Sequence, residues 1–185
     1  RSVSVPLRHP EHELLHRMSS RVRREVLRAA AKGVEIRAGR GTMDDFYALY
    51  RMTSEHHGFP IFPPEYFDQL WQTLGAAGRL HSFVAYKDDR PLAGILNSVV
   101  GDEMYYGWGG MSREPADKAL RANYLLHWSA ISEARRNGLR RYDFAGESPF
   151  KRWFAVDTIE WAAPLWKFQG PSGRLYSRLL TKRGA

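Results

Sequence analysis

Lys151 directly follows Phe150, a short way past the run Arg141-Tyr142-Asp143-Phe144 and the break at Ala145-Gly146. An ammonium in a glycine-containing loop just beyond a strand can reach an oxyanion or a phosphate, while the adjacent aromatic anchors the segment. Glu103, Asp143 and Glu147 are candidate acids or bases. An aspartate at a strand end also commonly caps the loop that follows it, so both roles stay open for Asp143. Tyr105, Tyr106 and Trp108 crowd one segment, of which one face must be core and the other looks at solvent or ligand. Gly107, Gly109 and Gly110 surround Trp108 and are expected to leave room for a substrate backbone.

Other chemistries find no support. The chain has no cysteine, so neither a disulfide framework nor a thiolate zinc site can form. There is no nucleophile elbow, Walker loop or dinucleotide fingerprint, and no metal-ligand spacing. His56 and His57 are adjacent, point in different directions on a helix and lack an acid at ligand spacing, so capping of a helix end explains them better.

The elements that must position Lys151 can be read in order. Leu126, Ala130, Ile131 and Ala134 recur at helical spacing, Arg135 and Arg136 suit the last turn, and Asn137-Gly138 ends the helix. Tyr142 and Phe144 then face one way on a short strand and Asp143 the other. Upstream, one continuous helix is expected from Pro10 to Lys32, capped by Gly33, followed by a strand over Val34–Arg37. Thr42-Met43-Asp44-Asp45 predicts a helix start, with the helix running to about His56. Gly58 to Pro64 is too rich in proline for regular structure, and Pro64 opens another helix with Tyr66, Phe67, Leu70 and Leu74 inward. Leu80–Tyr86, Pro91–Val100 and Glu103–Trp108 alternate and are joined by tight turns, which predicts an antiparallel meander. Gly94 in its middle strand points to a bulge or a close backbone approach. Thr158–Phe168 reads as a further strand and Leu175–Leu180 as a short helix. The result is an α/β chain with a mixed sheet.

The 185 residues suit one domain, and 43% hydrophobic content with 13% aromatics indicates a folded core. Residues 1–40, the leading helix and first strand, are expected to share that domain with residues 41–185. No apolar run approaches a membrane span and no signal peptide opens the chain, which suits a cytoplasmic protein. A start at Arg1 instead of Met suggests a piece of a longer protein. Net charge is +8 with a pI near 9.9. Both a polyanionic partner and a plain solvated basic surface fit that excess. Arg17, Arg21, Arg24, Arg28 and Lys32 form a stripe along the leading helix, and the last four are candidate phosphate contacts for a nucleic acid.

The run YLLHWSAI, then GLRRYDFAG and PFK, resembles the Fem-type aminoacyltransferases of the GNAT superfamily. RVRREVLRAAAKGVEIRAG, GFPIFPPEYF and YKDDRPLAGILNSVVGDEMYYGWGG also sit where that family has matching stretches, so the resemblance covers nearly the whole chain. It implies a GNAT-like fold with a largely antiparallel central sheet flanked by helices. It implies transfer of an amino acid from aminoacyl-tRNA to an amine, such as a cell-envelope precursor, without a bound cofactor or metal. Members usually carry two such domains, which makes a missing N-terminal domain an expected partner. The family's Phe-Lys pair falls on Phe150-Lys151, with the lysine at the reacting carbonyl. Its strand tyrosine falls on Tyr105 or Tyr106, and its helix-start tyrosine on Tyr66. Phe62 stands where peptidoglycan-acting members carry an arginine, and the loop from Gly146 to Phe150 is short. SREPADKALRAN contains no glycine, unlike the pyrophosphate loop of coenzyme-A-dependent relatives, which favours a tRNA donor over coenzyme A. The alternatives are an acyl-CoA-dependent N-acyltransferase and a non-catalytic binding half.

Overall fold

In the computed structural model, which describes residues 2–156, a six-stranded sheet carries helices on both faces. The elements are β1 (Ser4–Pro6), α1 (Glu11–Arg17), α2 (Ser20–Ala31), β2 (Glu35–Ala38), α3 (Met43–His57), α4 (Pro64–Leu70), β3 (Leu80–Lys87), β4 (Arg90–Val100), β5 (Glu103–Met111), α5 (Pro115–Ala119), α6 (Ala122–Arg136), β6 (Arg141–Asp143) and α7 (Pro149–Arg152). The strand order is β1-β6-β5-β4-β3-β2. All neighbours are antiparallel except β5 and β6, which α6 joins by a crossover. The predicted mixed, mostly antiparallel α/β sheet is therefore present, with the meander extending three residues further, to Met111. β1, unread in the sequence, closes one edge. The strand expected over Thr158–Phe168 and the helix over Leu175–Leu180 lie outside the described residues.

Alternation along the strands sorts side chains into two cores. Phe83, Ala85, Ala93 and Ile95 meet α2 and α6, packing with Val22, Val26, Leu126 and Ile131. Val84, Tyr86 and Leu96 meet α3 and α4 through Phe46, Leu49, Tyr50 and Phe67. Burial on both faces explains why β3 and β4 read as near-continuous apolar runs.

The expected long first helix is two helices. Met18 is extended, and Ser19 caps α2 by accepting a hydrogen bond from the Val22 amide at 3.3 Å. Arg23 Nη1 donates to the His16 and Met18 carbonyls at 2.5 and 2.7 Å, satisfying the end of α1.

The glycines of β5 allow close packing. A Cβ on Gly110 would overlap the Leu49 carbonyl and the Tyr50 amide, and one on Gly109 would collide with the Tyr106 ring. Their Cβ directions are thus taken up by α3 and by Tyr106, while the backbone of Gly109 and Gly110 lines the smaller of the two cavities described below. Gly94 is the close approach that the sequence suggested, since its Cβ would lie 3.3 Å from Phe46 Cα. The Met111 amide donates to Thr53 Oγ1 at 3.0 Å, pinning α3 onto the end of β5.

Candidate acyl-transfer groove

Two departures from regular sheet create the groove. β5 and β6 pair over Glu103–Tyr105 and Arg141–Asp143, after which β5 runs on to Met111 while the other chain turns away. Within β5, Asn97 is paired with Tyr106 but Leu96 with Trp108, so Gly107 is an inserted residue. The bulge reverses the parity of the strand. Trp108 joins the α3–α4 core beside Tyr66 and Phe67, whereas Tyr106 turns to the α6 side and packs edge-on against His127, ring centres 5.0 Å apart.

The far wall is the segment after β6. Asp143 Oδ1 accepts from the Ala145 amide at 2.6 Å and from the Ser2 hydroxyl, which itself accepts from the Gly146 amide at 3.0 Å. Ala145 is held at φ 49° in this turn. Asp143 thus takes the capping role. Ser148 then caps α7 by accepting from the Lys151 amide at 3.3 Å. Phe150 wedges between Tyr124, Phe154 and His127 at ring-centre distances of 5.1, 5.3 and 5.6 Å. Lys151 Nζ donates to the Phe144 carbonyl at 2.8 Å and stands 5.1 Å from the Tyr106 ring centre. Burial lowers the Lys151 pKa, with the Asp143 carboxylate working the other way.

His127, passed over in the sequence, forms the floor. It shares a hydrogen bond with the Tyr142 hydroxyl at 3.1 Å, and burial, with Lys151 adding to it, pushes its pKa down to about 3. Burial pushes Tyr106 up to about 12. The signal in the sequence was position: His127 lies one turn after Asn123 on the inward stripe of α6, where a histidine must be neutral to be tolerated. Unfolded chains protonate near 6.5 and the folded state resists this until about 3, so stability should fall as pH drops through that window. The loss should approach ~4 kcal/mol near the lower end. Urea midpoints at about pH 7, 5 and 4 read it. A His127→Gln variant should lose most of the slope, and an unchanged slope would assign it to other groups.

Two adjoining cavities run along the groove. The smaller, about 190 Å³, is lined by Lys151, His127, Tyr106, Asn123, Arg113, Thr53 and His57 among others. The larger, about 410 Å³, is lined by Arg21, Lys118, Arg121, Tyr124, Trp153 and the α6 N-terminus. Its one carboxylate, Asp117, is committed to Arg90 and Ser112, each at 2.5 Å. Among the described residues no carboxylate lines the smaller cavity. Glu103 accepts from Tyr105 at 2.6 Å and pairs with Arg141 at 3.3 Å, while Glu147 pairs with Arg152.

The structure therefore brings together Phe150, Lys151 and Tyr106. Tyr105, Tyr66, Trp108 and Asp143 do not line either cavity. The basic stripe also divides. Arg21 stacks 3.8 Å from the Trp153 ring centre and donates to Tyr124 Oη at 3.2 Å, so it belongs to the groove. Arg24 pairs with Glu25, Lys32 donates to the Ala119 carbonyl at 2.9 Å, and Arg28 stays exposed. The break at Met18 separates Arg17 from the others.

A splayed strand pair with a crossover helix behind it agrees with the comparison of sequences: the family model for the acetyltransferase (GNAT) domain matches residues 16–152. The chain belongs to the GNAT acetyltransferase family. No curated protein matches it. Among solved structures this GNAT chain resembles FemX, with a TM-score of 0.74 at 17% identity over 83% of this chain and 57% of FemX. It thus spans little more than half the length of FemX. It also resembles the C-terminal domain of a putative lysylphosphatidylglycerol synthetase from Agrobacterium fabrum, with a TM-score of 0.52 at 15% identity over 77% of this chain and 45% of that one. A third is AAC(6')-Iy in complex with a CoA-containing bisubstrate analogue, with a TM-score of 0.53 at 14% identity over 72% and 97%. These likenesses agree on the GNAT fold, and the family model supports an acyltransferase assignment. No helix among the described residues is long and apolar enough to cross a membrane.

Proposed function

We propose that this chain transfers an amino acid from aminoacyl-tRNA to an amine, forming an amide. The observation that carries the reading is the half-buried Lys151 ammonium opposite Tyr106, in a cavity that no carboxylate lines among the described residues. With no carboxylate among the described lining residues to act as general base, positioning and electrostatic stabilisation do the work. The acceptor nitrogen attacks the ester carbonyl, and the developing oxyanion is stabilised by Lys151 Nζ. The carbon–oxygen bond to the terminal ribose then breaks, and the leaving ribose oxygen takes the proton released by the amine, directly or through water. Phe150, Tyr106 and neutral His127 wall the reacting centre and exclude bulk water. The larger cavity, with Arg21, Lys118 and Arg121, suits the phosphate-bearing 3′ end of the donor. The likeness to FemX supports a cell-envelope precursor or another small amine as acceptor, a second domain in the natural protein as partner, and a cytoplasmic place of work. No cofactor or metal is needed for this step.

One observation favours a second reading, an acyl-CoA donor. The N-terminal turn of α6, Ala122 to Tyr124, opens on the larger cavity, and the Ala122 and Asn123 amides can take a pyrophosphate even without glycines. The Tyr124 amide instead donates to the Arg121 carbonyl at 3.0 Å. The two donors separate in one experiment. The natural protein carrying this chain is given charged tRNA or acetyl-CoA together with a panel of amines, and amide products are identified by mass. Amide from charged tRNA alone is the expected result. Amide from acetyl-CoA alone would replace the donor assignment, and no amide from either would leave a binding role.

A further inference from the structure

Arg113 follows β5 by two residues and, like Lys151, forms part of the smaller cavity's wall. Its Nε and Nη2 are closed off from solvent and have no hydrogen-bond partner among the described residues. These two nitrogens form one edge of the guanidinium, with their N–H bonds parallel, the spacing that a carboxylate accepts with both oxygens. An unpaired edge of this kind costs stability in the empty protein, because a buried cation without an acceptor loses its hydration and gains nothing back. The charge is also felt nearby: Arg113 is the largest cause of the lowered pKa of His56. Lys151, the cavity's other cation, already donates to a backbone carbonyl, and no carboxylate among the lining residues competes for Arg113.

We propose that Arg113 is a substrate-recognition residue whose free edge turns into the smaller cavity and binds an oxyanion, a carboxylate, on the molecule that brings the amine. In the acyl-transfer reading, on which the word substrate rests, this holds the acceptor by an acidic group one residue or so from the reacting nitrogen, a spacing suited to amino acids and short peptides. A volume of about 190 Å³ takes such a small acidic fragment but not a nucleotide. The anion-binding claim stands apart from turnover and is tested by binding.

The natural protein is titrated by calorimetry with glycylglycine, with its neutral amide and with inorganic phosphate, and the same is done for Arg113→Gln and Arg113→Lys. Glycylglycine should bind about ten- to a hundredfold more tightly than the amide. That preference should vanish in Arg113→Gln and return in part in Arg113→Lys, which restores charge without the fork. Equal binding of the acid and the amide overturns the proposal. So does phosphate binding that depends on Arg113 when glycylglycine binding does not, which would make the oxyanion a phosphate. Melting without ligand excludes a structural role: Arg113→Gln should keep the wild-type Tm or raise it by about 2–4 °C. A clear drop would mean that the edge is partnered inside the protein, and the proposal would fall. No preference for the carboxylate in the wild-type protein, with amide formation present, would count against Arg113 alone. Intact carboxylate binding with no amide formation would count against the acyl-transfer reading alone.

Discussion

Replacing Lys151 by alanine should lower kcat/KM for acyl transfer by about 10²–10³-fold, mostly in kcat. The reason is geometric. Lys151 is the cation that stands against Tyr106, 5.1 Å from its ring centre. The cavity's other described cation, Arg113, is assigned above to a carboxylate of the acceptor, so it does not replace Lys151 at a developing oxyanion. The fold should survive, because the substitution removes one hydrogen bond to the Phe144 carbonyl from a half-buried side chain, a loss of about 1 kcal/mol. Arginine should restore little, since its planar fork does not fit where a compact ammonium stood. The same lysine sets an alkaline limb. Burial lowers its pKa, so activity that needs the protonated form should fade as pH rises through a value below the usual 10.5. A rate profile that stays flat up to that ordinary value would contradict the assignment.

Gly110→Val should destabilise the protein by about 3 kcal/mol or more, at or beyond the upper end for overpacking. A side chain there meets the backbone of α3 at Leu49 and Tyr50, and a helix backbone cannot rotate away as a side chain can. Relief requires α3 to lift from β5, which breaks the Met111–Thr53 hydrogen bond and withdraws Thr53 and His57 from the smaller cavity. Activity and stability should therefore fall together. Gly41→Ala is the control: nothing lies within 4 Å of its added Cβ, so the change should be neutral or stabilising by about 0.5 kcal/mol. Urea unfolding of both variants decides the matter, and equal midpoints would show that α3 does not depend on Gly110.

These expectations depend on features that differ in how openly the sequence carries them. The meander is legible because its turns are short and its alternation long, and α6 because its apolar stripe ends in Asn137-Gly138. Phe150-Lys151 is legible by its place after a broken strand. The break at Met18 was harder, although Ser19-Ser20 is a capping signal inside an apolar period that continues across it. β1 is three residues long and exists through its pairing with β6, a long-range contact that no local pattern encodes. The bulge at Gly107 has the widest effect. One inserted residue sends Tyr106 to Lys151 and Trp108 to the opposite core, so period-two reasoning cannot place both correctly. His127 and Arg113 were missed because their significance is burial and an absent partner, which are tertiary properties.

The central claim, that an acyl group moves through this groove under the charge of Lys151, is tested most directly by a single-turnover experiment. The natural protein carrying this chain, in excess over tRNA charged with labelled amino acid, is mixed with an amine acceptor, and the label is followed from ester to amide. The account predicts acceptor-dependent transfer in the wild type and a rate about 10²–10³-fold slower in Lys151→Ala with tRNA binding retained. Transfer at the wild-type rate in Lys151→Ala would contradict it.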